Sequence, residues 1–296
     1  MRILLLGYTG QVGWELARTL STLGEVITTA RDDSADLKLD AADLDQVHAA
    51  LDRIAPDVIV NAVAYTAVDQ AEGEPQQAMR LNGEMPGVIG DWAAGHDALV
   101  VHYSTDYVFD GEKPTAYVET DPTCPISVYG ESKLAGDRAL LASGCAVIIL
   151  RVSWVYGVRG KNFLLTMQRL MRERDRLSVV DDQRGTPTWC RTIAQATATV
   201  LARLPADRQQ RMALRGVYHL APAGETSWFG FAQAIRDIAG LDCELHPIPS
   251  SAYPTAARRP ANSRMDAHKL AERFGVALPD WRRELGYCLQ DTKTTR

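Results

Sequence analysis

Arg2-Ile-Leu-Leu-Leu6, running without a break into Gly7-Tyr-Thr-Gly10-Gln-Val-Gly13, decides the fold of this chain. An apolar run with no polar alternation fits a strand buried on both faces. The glycines behind it meet three demands of a dinucleotide site: a tight turn, a backbone close to a pyrophosphate, and a helix packed closely on its strand. Working outward, strands are expected over 3–6, 26–30, 58–61, 99–104 and 146–151, with helices over 11–23, 43–54, 76–95 and 129–143. This repeated strand–helix alternation predicts an α/β fold built on a doubly wound parallel sheet of Rossmann type. Residues 1–151 should form the dinucleotide-binding domain, with later strands and helices of its sheet supplied from 152–225. Residues 152–296, rich in turns such as Asp181-Asp-Gln-Arg-Gly-Thr-Pro-Thr188, should make up most of a smaller C-terminal lobe packed over the crevice.

Composition narrows the function. Acidic residues outnumber basic ones, 37 to 32, and no block of lysine or arginine offers a track for a phosphate backbone, so a nucleic-acid partner is not expected. No apolar run approaches the roughly 20 residues that span a bilayer, so no membrane association is expected and a cytoplasmic location is. The five cysteines are scattered and lack a Cys-x-x-Cys, and the six histidines lack metal-ligand spacing, so neither a disulfide framework nor a metal site is signalled.

In a doubly wound sheet the ligand lies at the carboxyl ends of the strands. The glycine turn, Asn61-Ala-Val-Ala-Tyr-Thr66 and Ser104-Thr-Asp-Tyr-Val-Phe-Asp110 all fall there and should converge. Arg31, just past the second strand, suits a 2′-phosphate, whereas Asp32 and Asp33 suit a free ribose; NADPH is favoured and NADH stays open. Asp40 is a second candidate for the adenine end. Tyr129-Gly-Glu-Ser-Lys133 sets a phenol and an ammonium four residues apart, on one face of a helix. Lys133 is expected to lower the phenol pKa, and Thr105 to share a substrate oxygen with Tyr129. Together these three residues form a candidate catalytic set. Trp154 and Tyr156 could flank a sugar or base, or simply pack. Arg258, Arg259 and Arg264 could grip a diphosphate, or sit in solvent. Trp228 and Phe231, at helical spacing, read as core.

These residues resemble the extended short-chain dehydrogenases/reductases and, within them, the reductases of a dTDP-linked 4-keto-6-deoxysugar. The similarity runs nearly end to end, through Gly7-Tyr-Thr-Gly-Gln-Val-Gly-Trp-Glu-Leu16, Asn61-Ala-Val-Ala-Tyr-Thr-Ala-Val-Asp69, Val101-His-Tyr-Ser-Thr-Asp-Tyr-Val-Phe-Asp-Gly111, Tyr129-Gly-Glu-Ser-Lys133, Gly185-Thr-Pro-Thr188 and Arg259-Pro-Ala-Asn-Ser263. The resemblance implies reduction of dTDP-4-dehydro-L-rhamnose to dTDP-L-rhamnose by NADPH or NADH, in a monomer or homodimer. It implies that Gly10, Gln11 and Val12 line the pyrophosphate, beside the Gly7 and Gly13 of the glycine turn, with Asp40 and Ala41 at the adenine end and Ala64, Tyr65 and Thr66 at the middle of the cofactor. Tyr103 would lie on the nicotinamide side, with Tyr129 and Lys133 at the cofactor as well. Thr105, Asp106 and Trp154 would touch the nucleotide sugar, with Arg259 and Asn262 in the lobe that binds it. Some relatives form a dimer around magnesium held by glutamates; Glu15 is present here, but Arg191 stands where a second glutamate is expected, and that dimer is not carried over. A nucleotide-sugar epimerase, a dehydratase and a non-catalytic NADP-binding regulatory subunit are alternatives within the same fold, and the intact Thr105, Tyr129 and Lys133 favour the reductase.

Overall fold

The computed structural model describes residues 1–294. Six strands occupy the first half, with helices between all but the second and third: β1 (Arg2–Leu6), β2 (Glu25–Ala30), β3 (Leu37–Lys38), β4 (Val58–Asn61), β5 (Leu99–Thr105) and β6 (Ala146–Val152). A seventh strand, Gly216–His219, arrives from the later part of the chain and pairs with β6. The sheet runs in the order Gly216–His219, β6, β5, β4, β1, β2, β3, and every pairing in it is parallel. The strand order reverses between β1 and β4, which opens a crevice at their carboxyl ends.

Period-two alternation sorts the strand residues between two cores. Ile3 and Leu5 join one cluster with Leu99, Val101 and Tyr103, while Leu4 and Leu6 join another on the opposite face with Ile59 and Val100. The helices between the strands are α1 (Gln11–Thr19), α2 (Leu44–Ile54), α3 (Val68–Ala71), α4 (Pro75–Met79), α5 (Met85–His96) and α6 (Val128–Ala142). Asp43 caps α2 by accepting the Gln46 N–H, and Ser127 caps α6 by accepting that of Gly130. The single helix expected over 76–95 is instead interrupted by a π-helical turn, Arg80–Glu84. Pro86 has no N–H to give the carbonyl of Asn82 four residues earlier, so the helix cannot run through in α form. The widened turn presents Asn82 to α6, where Gly136 leaves room for it: a Cβ there would meet the Asn82 carbonyl oxygen at 2.1 Å.

The second lobe has a core of its own between the helices Phe163–Glu173, Trp228–Ala239 and Trp281–Thr294, joined by strand pairs such as Glu244–Ile248 with Arg176–Val180. Tyr156 and Phe231 are fully buried in that core. This settles the two readings of Tyr156 in favour of packing. Among the described residues no helix is long and apolar enough to cross a membrane.

Candidate active site

A cleft of about 980 Å³ opens at the carboxyl ends of β1, β2 and β4. Of the residues expected around a cofactor, Gly7, Gly10, Arg31, Asp40, Ala41, Ala64, Tyr65 and Thr66 line it. The backbone there leaves no space for side chains. Gly7 has φ +88° and would bring a Cβ within 3.0 Å of the Ala62 carbonyl, and a Cβ on Gly13 would lie 2.0 Å from the Gly7 carbonyl oxygen. The start of α1 adds free helix N–H groups, so the cradle suits a dinucleotide pyrophosphate. Gln11 and Val12 stand in that first turn, outside the cleft walls. The Gln11 amide oxygen accepts from Asn162 at 2.7 Å, and Val12 packs into the cores of both lobes.

At the end of the cleft expected to take adenine, the two acids and the arginine differ in their surroundings. Asp32 accepts both the hydroxyl and the N–H of Ser34, which holds its carboxyl below the usual range. Asp33 lies 3.6 Å from Lys38. Arg31 lines the cleft, and neither acid does. The Asp40 carboxylate caps its own loop by accepting the Ala42 N–H at 3.0 Å.

One buried side chain ties the cleft wall to α6. Asn82 accepts the Tyr65 N–H at 2.8 Å and donates to the Tyr65 carbonyl and to the Ser132 hydroxyl, each at 3.0 Å. Ser132 in turn donates to the Tyr129 carbonyl at 2.8 Å. Tyr65 also donates its hydroxyl to Glu74 at 2.7 Å.

Thr105, at the end of β5, stands close enough to the Tyr129 phenol to pull its pKa down. Its hydroxyl also donates to Asp106 at 3.0 Å and accepts the Tyr107 N–H at 3.2 Å. Tyr107 meets Tyr129 edge to face, with ring centroids 5.7 Å apart. The expected effect of Lys133 on the phenol is overturned. Removal from water pushes Tyr129 up to about 12, with Thr105 pulling down and Asp106 and Asp137 pushing up. Lys133 is engaged elsewhere: its Nζ donates to the Tyr103 carbonyl at 2.6 Å and lies 3.3 Å from His102 Nε2. A phenol at about 12 keeps its proton near neutrality, the state a proton donor needs. Burial brings Lys133 itself down to about 8, against the pull of Asp137.

Tyr103 departs from expectation. Its side chain points through the sheet to the face away from α6, where its hydroxyl shares a 2.8 Å hydrogen bond with Thr197, so only its carbonyl faces Lys133. The odd–even alternation of β5 forces this, because His102 and Ser104 take the opposite face.

On the side expected to face the sugar, Asp106 is buried, with one carboxylate oxygen unpartnered; burial raises it to about 7 against the pull of Ser263 and Thr105. Trp154 adopts φ +45° and stacks on Trp228, with ring centroids 3.7 Å apart and planes within 8°. Gly185 accommodates this stack, since a Cβ there would come within 2.5 Å of the Trp154 ring. Trp228 therefore belongs to the half-buried aromatic pair, while Phe231, three residues on, is core. The three arginines part company. Arg264 clamps loops together through Asn262, Glu225 and the Pro114 carbonyl. Arg259 pairs with Asp69 at 2.7 Å, and Arg258 is exposed. Asn262 is corrected as a direct ligand. Its amide donates to the carbonyls of Lys113 and Thr115 at 2.6 and 2.8 Å and accepts twice from Arg264, which exhausts its hydrogen-bonding capacity.

Four residues of this neighbourhood were not singled out from the sequence: Asn82, His102, Asp137 and Arg151. Asp137 accepts the Ser104 hydroxyl at 2.8 Å and lies 3.5 Å from Arg151. Its place one turn after Lys133 on α6 was the available signal. Midway along α1, buried Glu15 pairs with Arg191 at 3.3 Å, so a guanidinium occupies the position a cation would need. Among the described residues no cluster of three or more metal-ligating side chains is found.

A glycine-cradled cleft, with a threonine beside a buried tyrosine and a buried lysine one turn from that tyrosine, defines a Rossmann-type oxidoreductase. The family model described as RmlD substrate binding domain matches residues 1–294. A dTDP-4-dehydrorhamnose reductase of Burkholderia thailandensis is 48% identical, covering 98% of this chain and 99% of that protein. The enzyme of the same name from Escherichia coli K12 is 42% identical over 100% and 99%. Among solved structures, a dTDP-4-dehydrorhamnose reductase of Clostridium acetobutylicum superposes with a TM-score of 0.90 at 32% identity, covering 99% and 100% of the two chains. That of Bacillus anthracis, in complex with NADP, gives 0.88 at 31% identity over 98% and 99%. The chain belongs to the dTDP-4-dehydrorhamnose reductase family.

Proposed function

We propose that this protein reduces the 4-keto group of dTDP-4-dehydro-L-rhamnose to the hydroxyl of dTDP-L-rhamnose, using NADPH in preference to NADH. The observation that carries the mechanism is the placing of the buried Tyr129 phenol beside the end of β5, where the Thr105 hydroxyl pulls its pKa down. A reduced nicotinamide, when bound, supplies the hydride. Thr105 and Tyr129 hold the carbonyl oxygen between their hydroxyls, and Tyr129 gives its proton to that oxygen as negative charge develops. Lys133 sits one turn behind, holds the cofactor ribose and replaces the proton that Tyr129 gives up. Asp106 and the Trp154–Trp228 stack bound the sugar and base, and Arg259 turns from Asp69 to the diphosphate as the nucleotide enters. The bound NADP of the Bacillus anthracis relative and the exposed Arg31 at the adenine end support NADPH.

Residues 1–151 with the strand Gly216–His219 act as the cofactor-binding domain, and most of the remainder as the nucleotide-sugar lobe. With Glu15 neutralised by Arg191, the protein acts as a monomer or as a homodimer without a bridging metal.

The test is the loss of nicotinamide absorbance when purified protein meets enzymatically generated dTDP-4-dehydro-L-rhamnose, with NADPH and NADH in parallel and the product weighed by mass spectrometry. Oxidation with formation of dTDP-L-rhamnose is expected. Intact NADPH binding without oxidation would overturn the reading.

A further inference from the structure

We infer that His102 is a positioning residue that sets the proton affinity of Lys133, through a ring tautomer dictated by Asn61. The inference rests on the role of Lys133 proposed above. It begins with the alternation of β5, which turns His102 and Ser104 towards α6, where Lys133 and Asp137 stand one turn apart. Every charged or titratable member of this group is almost wholly buried: His102 at 0%, Lys133 and Asp137 at 1%, Arg151 at 4% exposure. Solvent cannot complete their hydrogen bonds, so each proton must be accounted for within the protein.

Asn61, at the end of β4, fixes the first one. Its amide oxygen accepts the Val63 N–H at 3.1 Å, which turns its nitrogen towards His102 Nδ1, also at 3.1 Å. A donor facing Nδ1 requires that atom to be bare. The ring is neutral, because burial and the neighbouring Lys133 both hold its pKa well below the ordinary value. A neutral ring with a bare Nδ1 carries its proton on Nε2, the nitrogen that lies 3.3 Å from Lys133 Nζ and 4.0 Å from Asp137 Oδ1. That oxygen is buried and has no hydrogen-bond partner.

An Nε2–H beside Lys133 distinguishes its two charge states. It opposes an ammonium, since two donors cannot bond each other, and it can donate to a neutral amine. Asp137, on α6, acts in the opposite direction by charge, Arg151 on β6 pairs with Asp137 at 3.5 Å, and Tyr129 lies one turn away on the same helix. His102 is thus the neutral member of a set that adjusts how readily Lys133 releases a proton towards the site, and the Tyr103 carbonyl, at 2.6 Å, fixes where Nζ sits while it does so.

The test reads Lys133 directly in the cofactor-free protein, by NMR titration of labelled lysine side chains with the Lys133 signal assigned through Lys133→Arg. In His102→Leu, loss of the Nε2–H should raise the Lys133 midpoint by about one pH unit, a tenfold gain in proton affinity. His102→Gln places an amide N–H where Nε2 was and should restore the original midpoint. The nitrogen shifts of His102 should show the proton on Nε2 in the wild type, and Asn61→Leu should release the ring to the other tautomer. A proton found on Nδ1 in the wild type, or a Lys133 midpoint unchanged in both His102→Leu and Asn61→Leu, would overturn the inference. If His102→Leu does not fold, Asn61→Leu with His102→Gln decides the same question. Neither readout needs turnover. A protein inactive on the keto sugar yet showing these shifts would lose the proposed reaction and keep the inference. In an active protein, the alkaline limb of the kcat/KM profile should move with the Lys133 midpoint.

Discussion

The cofactor cleft and the sugar side of this site are built by opposite means. The cleft is made largely of backbone at the ends of adjacent strands, with Gly7, Gly10 and Gly13 defining its shape by the side chains they lack. The proposed sugar side is made of side chains drawn from far apart in the chain: Thr105 and Asp106 from β5 and the turn after it, Trp154 beyond β6, Trp228 and Ser263 from the second lobe. A backbone site tolerates changes of side chain on its rim but no added atom at its glycines. A side-chain site should fail one group at a time, and each failure should leave the other half intact.

The sharpest separation is expected from Tyr129→Phe. The ring and its edge contact with Tyr107 remain while the transferable proton goes, so kcat should fall by about 10²–10⁴-fold with NADPH affinity unchanged. Comparable losses of binding and turnover would break the distinction between the halves. Gly13→Ala should do the converse. A Cβ 2.0 Å from the Gly7 carbonyl forces backbone apart, which costs about 1–3 kcal/mol and should appear as weakened NADPH binding and a lower Tm.

Asp106→Asn probes the sugar side through pH. The folded protein keeps the Asp106 proton up to about pH 7, while the unfolded chain releases it near 3.8. The folded state therefore binds more protons over this window, and the stability contributed by that proton is lost as pH rises from about 4 to 7. The variant should show a smaller fall in Tm between pH 4 and 7 than the wild type; equal slopes would remove Asp106 as a buried acid. Trp228→Ala should cost about 0.5–1.5 kcal/mol from the lost stack, raising KM for the nucleotide sugar several-fold while NADPH affinity holds. The smallest effect is expected at the exposed rim of the cleft. Arg31→Ala should weaken NADPH by about fivefold at most and leave NADH unchanged, as measured by competitive binding. Equal losses for the two cofactors would remove Arg31 from the argument.

Legibility in the sequence followed the same division. Five of the seven strands of the sheet appear within a residue of where the apolar runs put them, because burial on both faces leaves a local pattern that neighbouring residues do not obscure, whereas the two at its edges, Leu37–Lys38 and Gly216–His219, were given no range. The helix over 76–95 appears at its expected bounds, but its π-turn was not foreseen, because that turn depends on which carbonyl Pro86 leaves without a donor and periodicity does not register it. Tyr103 was placed at the nicotinamide by resemblance, while the parity of β5 turns it to the other face. Trp228 and Phe231 share helical spacing, yet only their surroundings separate an aromatic shelf from core.

The sequence by itself determined the sheet, the glycine cradle and the presence of Thr105, Tyr129 and Lys133, since each depends on residues close together in the chain and on backbone rules that hold without a partner. Tertiary structure alone decided the charge states. Lys133 is turned from Tyr129 towards the Tyr103 carbonyl and His102, Asp106 is raised by burial, and Asn262 is consumed by Arg264 and two carbonyls. The physical reason is that the proton affinity and free hydrogen-bonding capacity of a side chain are set by the groups that exclude water from it, and here those groups come from strands and loops distant in sequence.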